Sequence, residues 1–313
     1  MSRRILHVAV VCAAFLPVLP VSARAQTPPA SPLWHEEKIR NYLPHMTWPE
    51  VRELLTRTDM VILPVASLEE HGHQGPIGTD FLNGLERAKL IAQKTDVLVA
   101  PILLPGNSPY HMAFPGTITL PAETIQLVFF QAAQSLMKHG FKRFLILNSH
   151  GGNQAISRYI ADRINQETPG IAVELGEAAE PFMTRAPQAD RREFDRHAGV
   201  NETSSSLYLT PTLVDMPAAR TAPLTLLPHL QAMLPQVVAG DPTATRVFLA
   251  ESLKAEDTGK GTSTREMTET GVWSARDVKA ATAGRGRDET EAFVDAAVAF
   301  IERWKQLRPL GAR

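Results

Sequence analysis

The chain has 313 residues, 44% of them hydrophobic and 21% charged, with a formal net charge of -1. That length allows a sizeable core in an enzyme-sized domain and excludes a small module that needs staples to fold. A near-neutral balance excludes a partner held mainly by positive charge, such as nucleic acid.

The chain opens MSRRILHVAVVCAAFLPVLPVSARAQ, with Arg3 and Arg4 ahead of an apolar run from Ile5 to Val21. Ala23-Arg24-Ala25 then forms an A-x-A-like cleavage pattern, so residues 1–25 read as an export signal removed after Ala25. The alternative is an uncleaved anchor, weakened by the short run and by Pro17 and Pro20. Cleavage would leave 288 residues with 29 basic and 33 acidic side chains, a net charge near -4, and would remove Cys12, the only cysteine. A thiol-free exported chain suits an oxidising compartment, periplasmic or secreted. No cysteine follows the cleavage site, so neither lipid attachment nor a stable membrane association is expected.

Residues 26–44, which include QTPPASP, read as a leader, and one domain is expected over 45–308. Strands are expected at 60–65, 97–104, 143–148 and 171–176, where Val, Ile and Leu run without polar alternation. Such runs suit parallel strands buried on both faces. Amphipathic helices are expected over 80–95 and 122–140, with Thr79 or Asp80 as N-cap of the first and Gly140 ending the second. The fold class is α/β, a three-layer α/β/α domain around a mostly parallel sheet. Residues 215–245 are Pro-rich and expected to be irregular, 255–271 reads as a polar connector, and 289–307 as a closing helix.

Open parallel sheets bind ligands beyond the carboxyl ends of their strands. The stretch LEEHGHQGPIGTD, at 68–80, follows the first strand there. Its glycines and Pro76 argue against helix, so Glu69 and His71, two apart in extended chain, project to one side, and Asp80 returns at the next helix. Carboxylate and imidazole donors gathered in this way bind Zn, Mn or Fe; a solvated acidic loop is the bland alternative. NSHGGNQAI at 148–156 places His150 at the same sheet edge, with Gly151 and Gly152 allowing a tight turn. Taken alone it also suits a glycine-rich anion loop. Ser149 is a weak candidate nucleophile, because the elbow motif needs G-x-S-x-G and Asn148 directly precedes the serine. His111 lies in NSPYHMAFPGT at 107–117, and His197 and Glu202 lie in RHAGVNETSSSLYL at 196–209. Alone, either histidine suits a surface or core position.

Together these segments resemble the creatininase (creatinine amidohydrolase) family. The residues carrying the resemblance are Glu69, His71-Gly72, Pro76 and Thr79-Asp80, then GNSPYHMAFPGT, NSHGGN, HAGVNETS and, near the carboxyl end, GVWSARDVKAATAGRG. The resemblance covers about residues 45–305 and implies two divalent metal ions, Zn or Mn with Fe as a further option. In that pattern Asp80 bridges, Glu69 and His150 complete one ion, and His71 binds the other with Glu202 as candidate partner. It further implies a small-molecule amide substrate, His197 passing a proton to the leaving nitrogen, His111, Ser149 and Asn153 lining the substrate pocket, and a homo-oligomer, hexameric by family habit. The metals would acidify water and polarise the amide carbonyl. Three departures stand out: Gly152 where creatininases proper carry a glutamate, Glu193 where they carry a tryptophan, and His73-Gln74 where the family usually has Pro-His. The expected function is hydrolysis of a C–N bond in a small cyclic or linear amide. Creatininase proper is one alternative, and an exported protein that binds a metal or small solute without turnover is another.

Overall fold

The computed structural model describes residues 37–101, 105–183, 194–252 and 263–311. The expected export signal, residues 26–36 of the leader, 102–104 of the second strand, Glu193 and residues 255–262 of the connector lie outside them. From Ile39 onward the chain forms one compact unit.

In chain order the elements are α1 (Trp48–Leu54), β1 (Met60–Val65), α2 (Thr79–Lys94), β2 (Leu98–Val99), α3 (Ala122–His139), β3 (Arg143–Asn148), α4 (Gln154–Glu167), β4 (Ile171–Glu174) and α5 (Leu175–Ala179). There follow β5 (Asp195–His197), α6 (Val200–Leu209), α7 (Pro228–Val238), α8 (Pro242–Ser252), α9 (Ser263–Met267), β6 (Trp273–Ser274) and α10 (Ala283–Leu307).

The main sheet runs β2-β1-β3-β4 and is parallel throughout. Strand residues alternate between two apolar layers, as pleating requires. Val61, Leu63, Val65, Phe144 and Ile146 meet Phe129 and Ala133 of α3 and Ile156, Ile160 and Ile164 of α4. Met60, Ile62, Leu145 and Leu147 face the other way, onto Leu85, Ala88 and Ile91 of α2 and Val294, Ala297 and Ile301 of α10. Both faces are covered, which explains why these strands carry no polar alternation and gives the three-layer α/β/α fold. Met60 pairs with Arg143 and Val65 with Asn148, so β1 and β3 end at the same level. Two catalytic-type loops therefore leave the sheet side by side.

Several elements differ from expectation. The fourth strand stops at Glu174, whose carboxylate accepts from Glu177 N at 2.7 Å and starts α5. Neither Thr79 nor Asp80 caps α2: Gly78 holds that position, and Thr79 Oγ1 donates to Pro76 O at 2.8 Å. Asp80 is freed to point elsewhere. The Pro-rich stretch is irregular over 215–227 apart from a 3-10 turn at Met216–Ala218, but beyond it Pro228 and Pro242 open α7 and α8, where a missing N–H costs nothing. The closing helix begins earlier, at Ala283, where Thr282 accepts from Arg285 N at 3.2 Å. Gly140 ends α3 in a left-handed conformation, φ 115°. Among the described residues, no helix is long and apolar enough to cross a membrane.

A matched pair on α3 tests the layer assignment, since Phe129 is 1% exposed and Leu127 46%. Phe129→Ala is expected to lower unfolding free energy by roughly 3–5 kcal/mol, and Leu127→Ala by about 0.5 kcal/mol or less, in urea titrations. Equal losses would mean that the face is assigned wrongly.

Candidate functional site

Five segments converge beyond the carboxyl ends of β1 and β3. After β1, the chain delivers Glu69, Glu70 and His71 before a tight turn in which Gly75 N donates to His71 O at 3.1 Å. The first turn of α2 supplies Asp80, and the loop after β3 supplies His150. His111 sits on a short 3-10 turn at Pro109–His111. His197 ends β5, which pairs with β6, and Glu202 lies in the first turn of α6.

Asp80 presents its two oxygens to two different imidazoles. Oδ1 lies 3.4 Å from His71 Nε2, and Oδ2 lies 3.1 Å from His150 Nδ1. His150 Nδ1 is also 3.1 Å from Glu69 Oε1, while His71 Nε2 is 3.5 Å from Glu202 Oε2. His197 Nδ1 is 3.5 Å from Glu69 Oε1 and 3.9 Å from Glu202 Oε2. His111 Nε2 lies 3.7 Å from Glu69 Oε1, its ring stacked on His197 with centroids 4.1 Å apart.

Ring orientation follows from the outer nitrogens. A carbonyl oxygen only accepts, so an imidazole nitrogen beside one must carry the hydrogen. His71 Nδ1 is 3.1 Å from Glu69 O, His150 Nε2 is 3.1 Å from Asn107 O, and His197 Nε2 is 2.7 Å from Glu70 O. Each histidine thereby turns its other nitrogen inward, as metal-ligating histidines do. Among the described residues, His71 Nε2 and Asp80 Oδ2 are buried without a satisfactory hydrogen bond. Inward lone pairs beside carboxylate oxygens repel unless a proton or a cation lies between them. The donor sets Glu69/His71/Asp80, His71/His197/Glu202 and Glu69/His111/His197 each bring their ligand atoms close enough to hold a metal ion. The residues fit a divalent ion with oxygen and nitrogen ligands.

Charge is balanced within the cluster. Burial opposes ionisation of Glu69, but His150, His111 and His197 outweigh it and hold its carboxyl well below the usual range. Glu70 is brought down to about 2, burial again being overcome, by His197 and His111. Against burial, Asp80 raises His71 to about 9, Glu70 raises His197 to about 10, and Glu69 raises His150 well above its ordinary value. Burial and the neighbouring His197 lower His111, and burial raises Glu202. Without a metal, His71 and His150 therefore hold protons that a divalent ion bound between them and the carboxylates would displace.

Surrounding residues lock this arrangement. Ser67 and Ser108 donate to Glu69 Oε2 at 2.9 and 2.5 Å. Gln74 Nε2 donates to Ala198 O at 2.8 Å and Thr203 Oγ1 at 3.2 Å, tying the first motif to the segment that carries His197 and Glu202. Ala198 itself is left-handed, φ 51°, and its N–H donates to Glu202 Oε2 at 2.6 Å.

Two of the residues expected to line the substrate pocket are otherwise engaged. Ser149 Oγ donates to Asp80 O at 2.9 Å and Val65 O at 3.3 Å, which ties α2 to the end of β1 and leaves no free nucleophile. Asn153 is buried, accepting from Asn107 N and donating to Ala66 O, both at 3.0 Å. It holds two loops together. His111, the third, belongs to the ionisable cluster. Glu70 escaped the sequence reading because alternation turns it away from Glu69 and His71, and only the fold brings His197 and His111 behind it. The doubled acid in LEEHG was the one available signal.

A family model described as creatinine amidohydrolase matches residues 44–301. The chain belongs to the creatininase family. Its named relatives are hydrolases, a peptidase and an amidohydrolase among them, and this chain is a hydrolase of the same family. It is 31% identical over 195 residues to the 3-dehydro-scyllo-inosose hydrolase of Thermotoga maritima, a match spanning 60% of this chain and 62% of that enzyme. It is 29% identical over 221 residues to the mycofactocin precursor peptide peptidase of Mycolicibacterium smegmatis, spanning 66% of this chain and 83% of the peptidase. A manganese creatininase structure superposes with TM-score 0.60 at 20% identity, covering 87% of this chain and all of that one, which supports the fold. A Zn-Zn creatininase variant superposes with TM-score 0.61 at 20% identity, over 86% of this chain and 98% of the other.

Gly152 provides a steric test. A Cβ there would lie 2.1 Å from the Tyr110 hydroxyl, 2.4 Å from Asn107 O and 2.5 Å from His150 Nε2, whereas one on Gly151 would meet nothing within 4 Å. Gly152→Ala must push His150 out of line, so Mn affinity by equilibrium dialysis is expected to fall roughly 10- to 100-fold, with Gly151→Ala near the parent. Equal affinities in the two variants would refute the packing around His150.

Proposed function

We propose that the chain is an exported, metal-dependent amidohydrolase that cleaves a C–N bond of a small cyclic or linear amide at a site holding two divalent ions. The observation that carries this reading is Asp80, whose oxygens face His71 on one side and His150 on the other. A carboxylate placed in this way is suited to bridge two ions. Glu69 and His150 would hold one, and His71 and Glu202 the other, with Zn, Mn or Fe all compatible with such ligands. When bound, the ions supply Lewis acidity, which acidifies water and polarises a carbonyl.

In the reaction, water adds to the amide carbonyl carbon, the C–N bond breaks, and His197 gives a proton from Nδ1 to the departing nitrogen. The proton released by water restores His197. Glu70 Oε1, 3.1 Å from His197 Nε2, favours the protonated imidazole, and Glu202 and Glu69 flank the inward Nδ1. The substrate class rests on this chemistry, because relatives named for an inosose, a precursor peptide and creatinine act on dissimilar molecules. Export rests on the signal pattern of residues 1–25.

Elemental analysis of the chain from Gln26 onward should find close to two divalent ions per chain, far fewer in Asp80→Asn, and turnover of dihydrouracil, hydantoin or creatinine that a chelator abolishes. A parent that neither contains nor takes up Zn or Mn would sink the mechanism. For localisation, intact mass of the chain recovered outside the cytoplasm should correspond to a start at Gln26; a chain retained inside with residues 1–25 attached would disprove export.

A further inference from the structure

Glu70 plays no part in the metal assignment, yet it is buried and built into the site from every side. Its Oε1 lies 3.1 Å from His197 Nε2 and 3.4 Å from His111 Nδ1, and its backbone carbonyl lies 2.7 Å from the same His197 nitrogen. Its Oε2 accepts from Gly72 N at 2.9 Å, and its own N–H donates to Thr117 Oγ1 at 3.1 Å. Gly271, at φ 82°, brings its backbone so near that a Cβ there would lie 1.9 Å from Oε2. The carboxylate therefore has one available position. Its other side borders a cavity of about 380 Å³ lined by Gly72, His73, Phe114 and Arg265 among others.

We propose that Glu70 is a positioning residue, a carboxylate that holds His197 through Nε2, with the stacked His111 ring packed beside it, so that His197 presents Nδ1 to the reacting bond. The proposal rests on the amidohydrolase reading for its chemistry and on distances alone for its geometry. A glutamine keeps the backbone carbonyl's hold on His197 Nε2 but not the carboxylate's. With a single acceptor oxygen, its amide serves either Gly72 N–H or His197 Nε2–H and turns an N–H against the other. Outer carboxylates of this kind are worth roughly 10- to 100-fold in activity.

The test uses Mn-loaded parent, Glu70→Gln and Glu70→Ala on dihydrouracil, hydantoin and creatinine. Glu70→Gln should lose about 10- to 100-fold in kcat with KM and bound Mn unchanged. Formate, small enough to enter the adjoining cavity, should partly restore Glu70→Ala in a saturable manner, whereas formamide should not. Parental kcat in Glu70→Gln, loss of Mn in step with activity, or no formate effect would each overturn the proposal. A second readout needs no substrate: the His197 Nε2–H proton, held by a buried carboxylate, should resonate far downfield in the parent and move upfield in Glu70→Gln. If the parent hydrolyses none of the three, the cyclic-amide reading fails, and the unchanged or shifted proton still decides the role of Glu70.

Discussion

A backbone carbonyl can accept a hydrogen bond but never donate one, and three such oxygens decide which way the site histidines face. Those of Glu69, Glu70 and Asn107 each take the outer N–H of an imidazole. The inner nitrogens are left with lone pairs or displaceable protons, directed at the buried carboxylates of Glu69 and Asp80 and at the half-buried one of Glu202. Desolvating such groups singly would cost several kcal/mol each, so they persist only as a mutually compensating set. The proton-rich state without metal and the metal-loaded state are two solutions to one electrostatic problem.

The sheet makes the cluster possible by ending β1 and β3 at the same level. Their loops need no long excursion to meet, and Ser149 and Asn153 bind them to each other and to α2 through backbone groups. The remaining donors come from outside the sheet. The β5–β6 pair and α6 carry His197 and Glu202, and Gln74 and Glu70 link that segment to the first motif by hydrogen bonds. A site shared between a rigid sheet edge and a docked satellite depends on such links as much as on its ligands.

Close approach is the recurring device. Gly84 lets Ser149 pack against the middle of α2, and Gly152 leaves room for the Tyr110 hydroxyl beside His150. These glycines lie where two backbones or a backbone and a site residue must nearly touch. Their value is the absence of a side chain, more than any freedom of φ.

The layered fold was legible in the chain because apolar runs without alternation have few solutions other than strands covered on both faces, and the residues Glu69, His71, Asp80 and His150 were legible because they sit at predicted strand and helix ends. What could not be read was whatever depends on contacts between distant segments. Thr79 and Asp80 look like caps until Gly78 takes that place; the prolines of 228 and 242 look like breakers until they open helices; Ser149 and Asn153 look like pocket residues until their partners are seen. Glu70 is the sharpest case. Local alternation points it away from its neighbours, and only the packing of residues 111 and 197 behind it turns an apparently outward carboxylate into a buried one. The sequence by itself determined the layers and the chemistry of the donors, because both follow from local pattern. The tertiary structure alone decided which nitrogen of His150 and His197 faces inward and which acid lies behind His197, because those depend on hydrogen bonds between segments 43 and 127 residues apart.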